Sequence, residues 1–155
     1  MLGGTSLADH SLVGAWLLTL PTGIALSYFG ADGTALISWP ACEQGADGLV
    51  RYTTPGLGTW ERVDERKGYV NVVQVLSDAE GHFLGSRSLH CLPVVSEDGE
   101  SFEDDGRAIR VYVRDGANAL ATILGKDGDS APMSGVRMRP GSPGFPGQSG
   151  SIAEQ

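Results

Sequence analysis

Tyr69-Val70-Asn71-Val72-Val73-Gln74-Val75-Leu76, then Asp78-Ala79-Glu80-Gly81, then the run from Phe83 to Val95, is the stretch that decides the fold class. The first run is dense in β-branched residues, which suit a pleated and packed surface. Asp, Glu and Gly supply turn chemistry, and the second run reads as the return strand of a long hairpin. On a period of two, Val70, Val72, Gln74 and Leu76 share one face, and Asn71, Val73 and Val75 share the other. Apolar residues on both faces imply a core on one side and a cavity, cover or partner on the other. An amide among aliphatics needs a hydrogen-bond partner, because burying it alone costs ~1–3 kcal/mol. Gln74 is therefore read as a polar anchor inside an apolar barrel.

Outward from this hairpin the pattern repeats. Leu12–Leu20, Ile24–Phe29, Thr34–Trp39 and Gly56–Val63 read as strands before it, and Phe102–Asp105, Arg107–Arg114, Ala117–Leu124 and Met133–Arg139 as strands after it. Asp-Gly steps at 32–33 and 115–116 are hairpin signals. Short strands with Gly and Asp turns, and no helical period, predict an all-β meander of about nine strands. A closed antiparallel up-and-down barrel removes exposed edges and is preferred over a sandwich. Pro40–Pro55 lapses into Ala, Gly, Glu and Asp around Leu49–Tyr52 and reads as a long loop, of the kind that forms a lid or rim. The expected organisation is a loose lead-in over residues 1–11, one barrel over 12–139, and a Pro/Gly/Ser-rich disordered tail over 140–155.

At 155 residues the chain has the size of a single domain that folds without metal or disulfide. A net charge of −8 argues against nucleic acid or an anionic membrane as partner. No apolar run approaches the ~20 residues of a membrane-spanning helix. No basic n-region precedes Leu12–Leu20, so the cytoplasm is the expected location. Cys42 and Cys91 carry no motif and read as reduced thiols, with one disulfide left open.

The sequence has no nucleophile elbow, phosphate loop, dinucleotide fingerprint or zinc spacing, so no cofactor and no metal are expected. His90 and Cys91 are adjacent on a strand and face opposite sides. The acidic groups at 97–100 and 103–105 read as a solvated rim, and Asp78, Glu80, Asp127 and Asp129 fit no calcium-loop register. What remains is an aromatic and aliphatic lining for a flat or polyene-like ligand. Trp16, Trp39, Trp60, Tyr52, Tyr69 and Tyr112 are its aromatic members, with Val72, Leu76 and Met138 beside them. Gln74, Tyr28 and His90 are its candidate polar, catalytic residues. Each of these positions has packing alone as its plainer reading.

Gly14-Ala15-Trp16 resembles the G-x-W signature of lipocalins and related calycin barrels. That resemblance implies that Trp16 packs at a closed base against a late arginine, Arg137 or Arg139. Phe29–Thr34, Pro55–Glu61 and Val73–Gly85 together resemble a family of small actinobacterial calycin-like barrels. Some members are similar to cofactor-independent polyketide cyclases of the Diels–Alderase type, though no catalytic residue carries over by motif. A pericyclic step needs no nucleophile, only a chain ordered into one reactive conformer and a hydrogen bond to a carbonyl. The expected function is therefore such a cyclase, in which Trp60, Trp39, Tyr28 and Met138 shape a cavity. Gln74 would orient a carbonyl, and the Pro40–Pro55 loop would cover the mouth. A carrier of a small hydrophobic metabolite is the alternative, and a filled barrel acting through its surface is the third reading. Strands apolar on both faces also predict a homodimer.

Overall fold

A computed structural model describes residues 6–20, 23–124 and 132–140. Its strands are β1 (Gly14–Leu20), β2 (Gly23–Phe29), β3 (Thr34–Ser38), β4 (Cys42–Gln44), β5 (Val50–Thr53), β6 (Gly56–Arg62) and β7 (Gly68–Ser77). They continue with β8 (Phe83–Cys91), β9 (Val94–Val95), β10 (Ser101–Asp104), β11 (Arg110–Arg114), β12 (Leu120–Leu124) and β13 (Met133–Arg137). A single 3-10 turn, Leu7–Asp9, precedes them, capped by the Ser6 hydroxyl. Among the described residues no helix is long and apolar enough to cross a membrane.

The fold is all-β, as the hairpin periodicity predicts, with every ladder antiparallel. The sheet order is β12-β11-β8-β7-β6-β3-β2-β1-β13-β10-β9, with the β4–β5 hairpin attached to β7 through β5. The expected closed barrel of eight or nine strands is corrected to an open half-barrel. The reason lies in the central hairpin, whose strands are longer than one wall. β8 pairs with β11 up to His90, and Leu92-Pro93 then interrupts it. A proline has no N–H to give a ladder. Past the break, β9 turns to β10 instead. The end of the path is held near β7 by one isolated bridge, Lys67 to Val94, with Gly68 N–H donating to Pro93 O and Val95 N–H to Arg66 O.

The turns follow one chemistry. Asp32, Asp47, Asp78 and Asp98 each accept the backbone N–H two residues on, while a Gly behind each adopts positive φ. Gly33 at φ 87° and Gly48 at φ 78° sit where a side chain would be strained. The Thr34 amide holds the Asp32 carboxyl below the usual carboxylate range, and the Ser96 hydroxyl does the same for Asp98.

Alternate residues of the curved sheet point inward and make the core: Trp16 and Leu18, Ala25 and Phe29, Ala35 and Ile37, Val70 and Val72, closed by Phe102 and Val95. The cysteines do not pair. Cys42 is exposed and Cys91 buried, and burial, with the Asp104 carboxylate nearby, pushes the Cys91 thiol far up. Since the thiolate is the reactive form, iodoacetamide is expected to modify Cys42 in the native protein and Cys91 only on unfolding. Equal labelling of both by peptide mass mapping would show that the Cys91 wall opens in the folded state.

Candidate functional site

The Trp16 end of the half-barrel is sealed. The Trp16 indole donates to Leu12 O at 2.9 Å, and the Arg137 guanidinium lies 4.2 Å over its ring. Arg137 also donates to Gly99 O at 2.7 Å, Val13 O at 2.9 Å and Ser11 O. Of the two arginines the resemblance offered, Arg137 makes the contact, and Arg139 pairs with Glu100 at the surface. His10 is buried in the same seal. Its Nδ1 accepts from Leu12 N–H at 3.0 Å, which leaves Nε2 to donate to Asp64 O at 2.7 Å, and its ring meets Trp60 at 5.1 Å. Of the described lead-in, His10 is buried in the base and Leu7 packs against the core, while Ser6, Ala8 and Asp9 are exposed.

Aromatic rings fill the space above. Phe102 stands edge-on to Trp16 at 5.0 Å, and Phe29 meets Phe102 at 6.3 Å and Trp60 at 6.4 Å. Trp16, Trp60 and Val72, expected to line a cavity, are members of this core; the Trp60 indole donates to Gly30 O at 2.8 Å.

Space for a ligand opens elsewhere. A groove of about 940 Å³ lies between the Leu20 end of β1, the Leu92–Val94 segment, the start of β13 and the loop from Asp105 to Ala108. Leu20, Leu92, Val94 and Met133 give it apolar walls, and Lys67, Glu103, Asp105 and Arg107 a charged rim. Asp104 holds two of these walls together: its buried carboxylate accepts Leu92 N–H at 2.6 Å and Gly106 N–H at 2.9 Å. None of the candidate catalytic or ligand-lining residues read from the sequence lines this groove, although Glu103, Asp104 and Asp105, read there as a solvated rim, do.

The three polar anchors do not converge. Gln74 is buried and its amide donates to Thr54 O at 3.2 Å, so it ties β7 to the approach to β5. Gln74→Leu is expected to cost about 1 kcal/mol by stranding that carbonyl, with faster amide exchange confined to Val50–Thr53; unchanged exchange there would remove Gln74 from the docking of β5. Tyr28 points outward from β2 and is exposed, as are Tyr52 on β5 and Met138 after β13. Leu76 is buried on the inner face of β7, and Trp39, half-buried, lies against Gly56. The Pro40–Pro55 segment is no lid over the groove. It forms the β4–β5 hairpin, paired to β7 and anchored by Glu43 to Arg87 at 2.9 Å.

Three expected residues do meet, on the outer face of the β7–β8–β11 wing. The Tyr69 hydroxyl is 2.6 Å from His90 Nδ1, and the Tyr112 ring stands edge-on to His90 at 5.1 Å. Desolvation lowers the His90 pKa, favouring the neutral ring. Asn71, opposite His90 across the ladder, keeps its Oδ1 buried without a partner. At the far turn Asp78, Glu80 and His82 cluster, but the Asp78 carboxylate is engaged by the Glu80 and His82 amides and the His82 ring.

Comparison of the chain with protein-family models, with characterised proteins and with solved structures returned no match. Sequence reasoning missed the groove because its walls are single residues from separate strand ends. The Pro93 break in an otherwise regular strand was the one signal that the chain leaves the central hairpin there.

Proposed function

We propose that this protein binds a small, mostly apolar metabolite in the cytoplasm, holding it in the groove at the Leu20 end of the half-barrel as a carrier does. The groove itself carries the reading. Its volume of about 940 Å³ falls within the range of small-molecule sites, and its walls are apolar with a few charged groups at the rim. Lys67 and Arg107 beside Glu103 and Asp105 favour a ligand with a polar head and an apolar body. Titration with the neutral dye Nile red is the test. Binding in the low micromolar range is expected, about tenfold weaker in Val94→Trp, which fills the groove, at an unchanged unfolding midpoint. Equal dye affinity in both proteins would overturn the assignment.

A cofactor-independent cyclase acting on a linear polyketide-type chain is the second reading, and Lys67 is the observation that favours it. An ammonium at the groove rim can donate to a carbonyl, the one electrostatic aid such a cycloaddition uses. Ordering a flexible chain also requires enclosing walls, and the space behind the groove is filled by the aromatic core, so the carrier is preferred. A linear triene carbonyl substrate converted at constant mass, more slowly by Lys67→Met, would reverse that preference.

A further inference from the structure

The outer face of β13, β1, β2, β3, β6 and β7 exposes an apolar patch and almost no charge in a protein of net charge −8. One row crosses four adjacent strands in register: Tyr28 opposite Leu36, Leu36 opposite Leu57, Leu57 opposite Val73. In a second row Val136 and Leu26 are exposed on either side of Leu17, which is itself buried. Among the outward positions of these six strands only Glu61, at one corner, carries a charge. The first row spans three strand spacings, about 14 Å, and Ile24, Leu26 and Val75 extend the exposed apolar patch along β2 and β7.

We propose that a second copy of this chain covers this face, through a two-fold axis passing between Leu36 and Leu57. Exposure runs 48% at Tyr28, 37% at Leu36, 60% at Leu57 and 41% at Val73. A two-fold through the middle of the row sets the more exposed Leu57 on the less exposed Leu36 of the partner and the large Tyr28 on the small Val73, each contact occurring twice, as an isologous interface requires. Two sheets meeting in this way pack about 10 Å apart. The absence of charge lets two acidic molecules approach here without opposing like charges.

The full chain is expected to sediment as a dimer at about 10 μM, and Leu57→Glu, an exposed position, to shift it to monomer by burying an unpaired carboxylate, weakening association about a hundredfold or more. Two-fold pairing is read separately with dibromobimane, a short thiol-to-thiol crosslinker. Tyr28→Cys with Val73→Cys, in a Cys42→Ser background, places thiols about 14 Å apart within one chain, too far for the reagent, and about 5 Å apart across sheets packed about 10 Å from each other, within its reach. A covalent dimer on treatment with it, with neither single variant crosslinking, supports the axis. A wild-type monomer at 100 μM, a dimer indifferent to Leu57→Glu, or no crosslink in the paired variant would overturn the proposal. None of these readouts depends on the groove.

Discussion

Arg137→Ala is expected to lower the unfolding free energy by about 3 kcal/mol, read from the urea midpoint at constant slope. The guanidinium serves three carbonyls, of Ser11, Val13 and Gly99, and covers the Trp16 ring. A hydrogen bond from a charged donor contributes about 1.5–3 kcal/mol and the ring contact about 1 kcal/mol. Water reaching the carbonyls after truncation returns part of that sum. Desolvation pushes the Arg137 pKa down, yet a guanidinium keeps its charge throughout the neutral range. Arg137→Lys should recover less than half the loss, since an ammonium cannot present a planar fork to three acceptors and a ring at once. A loss below about 1 kcal/mol for the alanine variant would mean that the base is sealed by Trp16 and Leu12 alone.

Phe102→Ala should cost about 3–5 kcal/mol, the range for deleting a buried ring. Phe102 joins Trp16 to Phe29, and it stacks across the ladder on Gly135, where a Cβ would overlap the ring. Gly135→Ala alone is therefore expected to cost about 1–3 kcal/mol through overpacking. The two should not add. With the ring gone, the methyl occupies vacated space, and Gly135→Ala in the Phe102→Ala background should be near neutral or stabilising in a double-mutant cycle. Additive costs would show that Gly135 is required for its backbone and not for the ring above it.

Fold class was legible because the inward positions alternate along several strands and the Asp-Gly turns punctuate them. Val70 and Val72 face the core as the period of two requires, and His90 and Cys91 take opposite faces. Closure was not legible. Nothing in the run from Phe83 to Val95 except Pro93 distinguishes one straight strand from two that serve different neighbours. The Cys42–Gln44 strand was invisible for a similar reason: Cys-Glu-Gln has little β preference, and its pairing with β5 creates it. At the candidate site, aromatic residues were read as lining when Trp16 and Trp60 are the filling. Tyr28 was read as an inward anchor, though Ala25, Ser27 and Phe29 on the same strand claim the inner face. Periodicity says which residues share a face, and mass alone does not say whether that face encloses space.

The position of β1 between β2 and β13 has a consequence for how the chain reaches its native state. β1 has an open edge until its last neighbour has been made, and the Arg137 contacts with Ser11 and Val13 span 126 and 124 positions. At ribosomal speeds of roughly 5–20 residues per second, about ten seconds separate synthesis of the two ends of that seam. Meanwhile the nascent hairpins near the N-terminus carry apolar residues on both sides and one unpaired border. Acquisition of structure should then be slow, in the millisecond-to-second class of topologies dominated by distant pairings, and completed only after translation has passed the final strand.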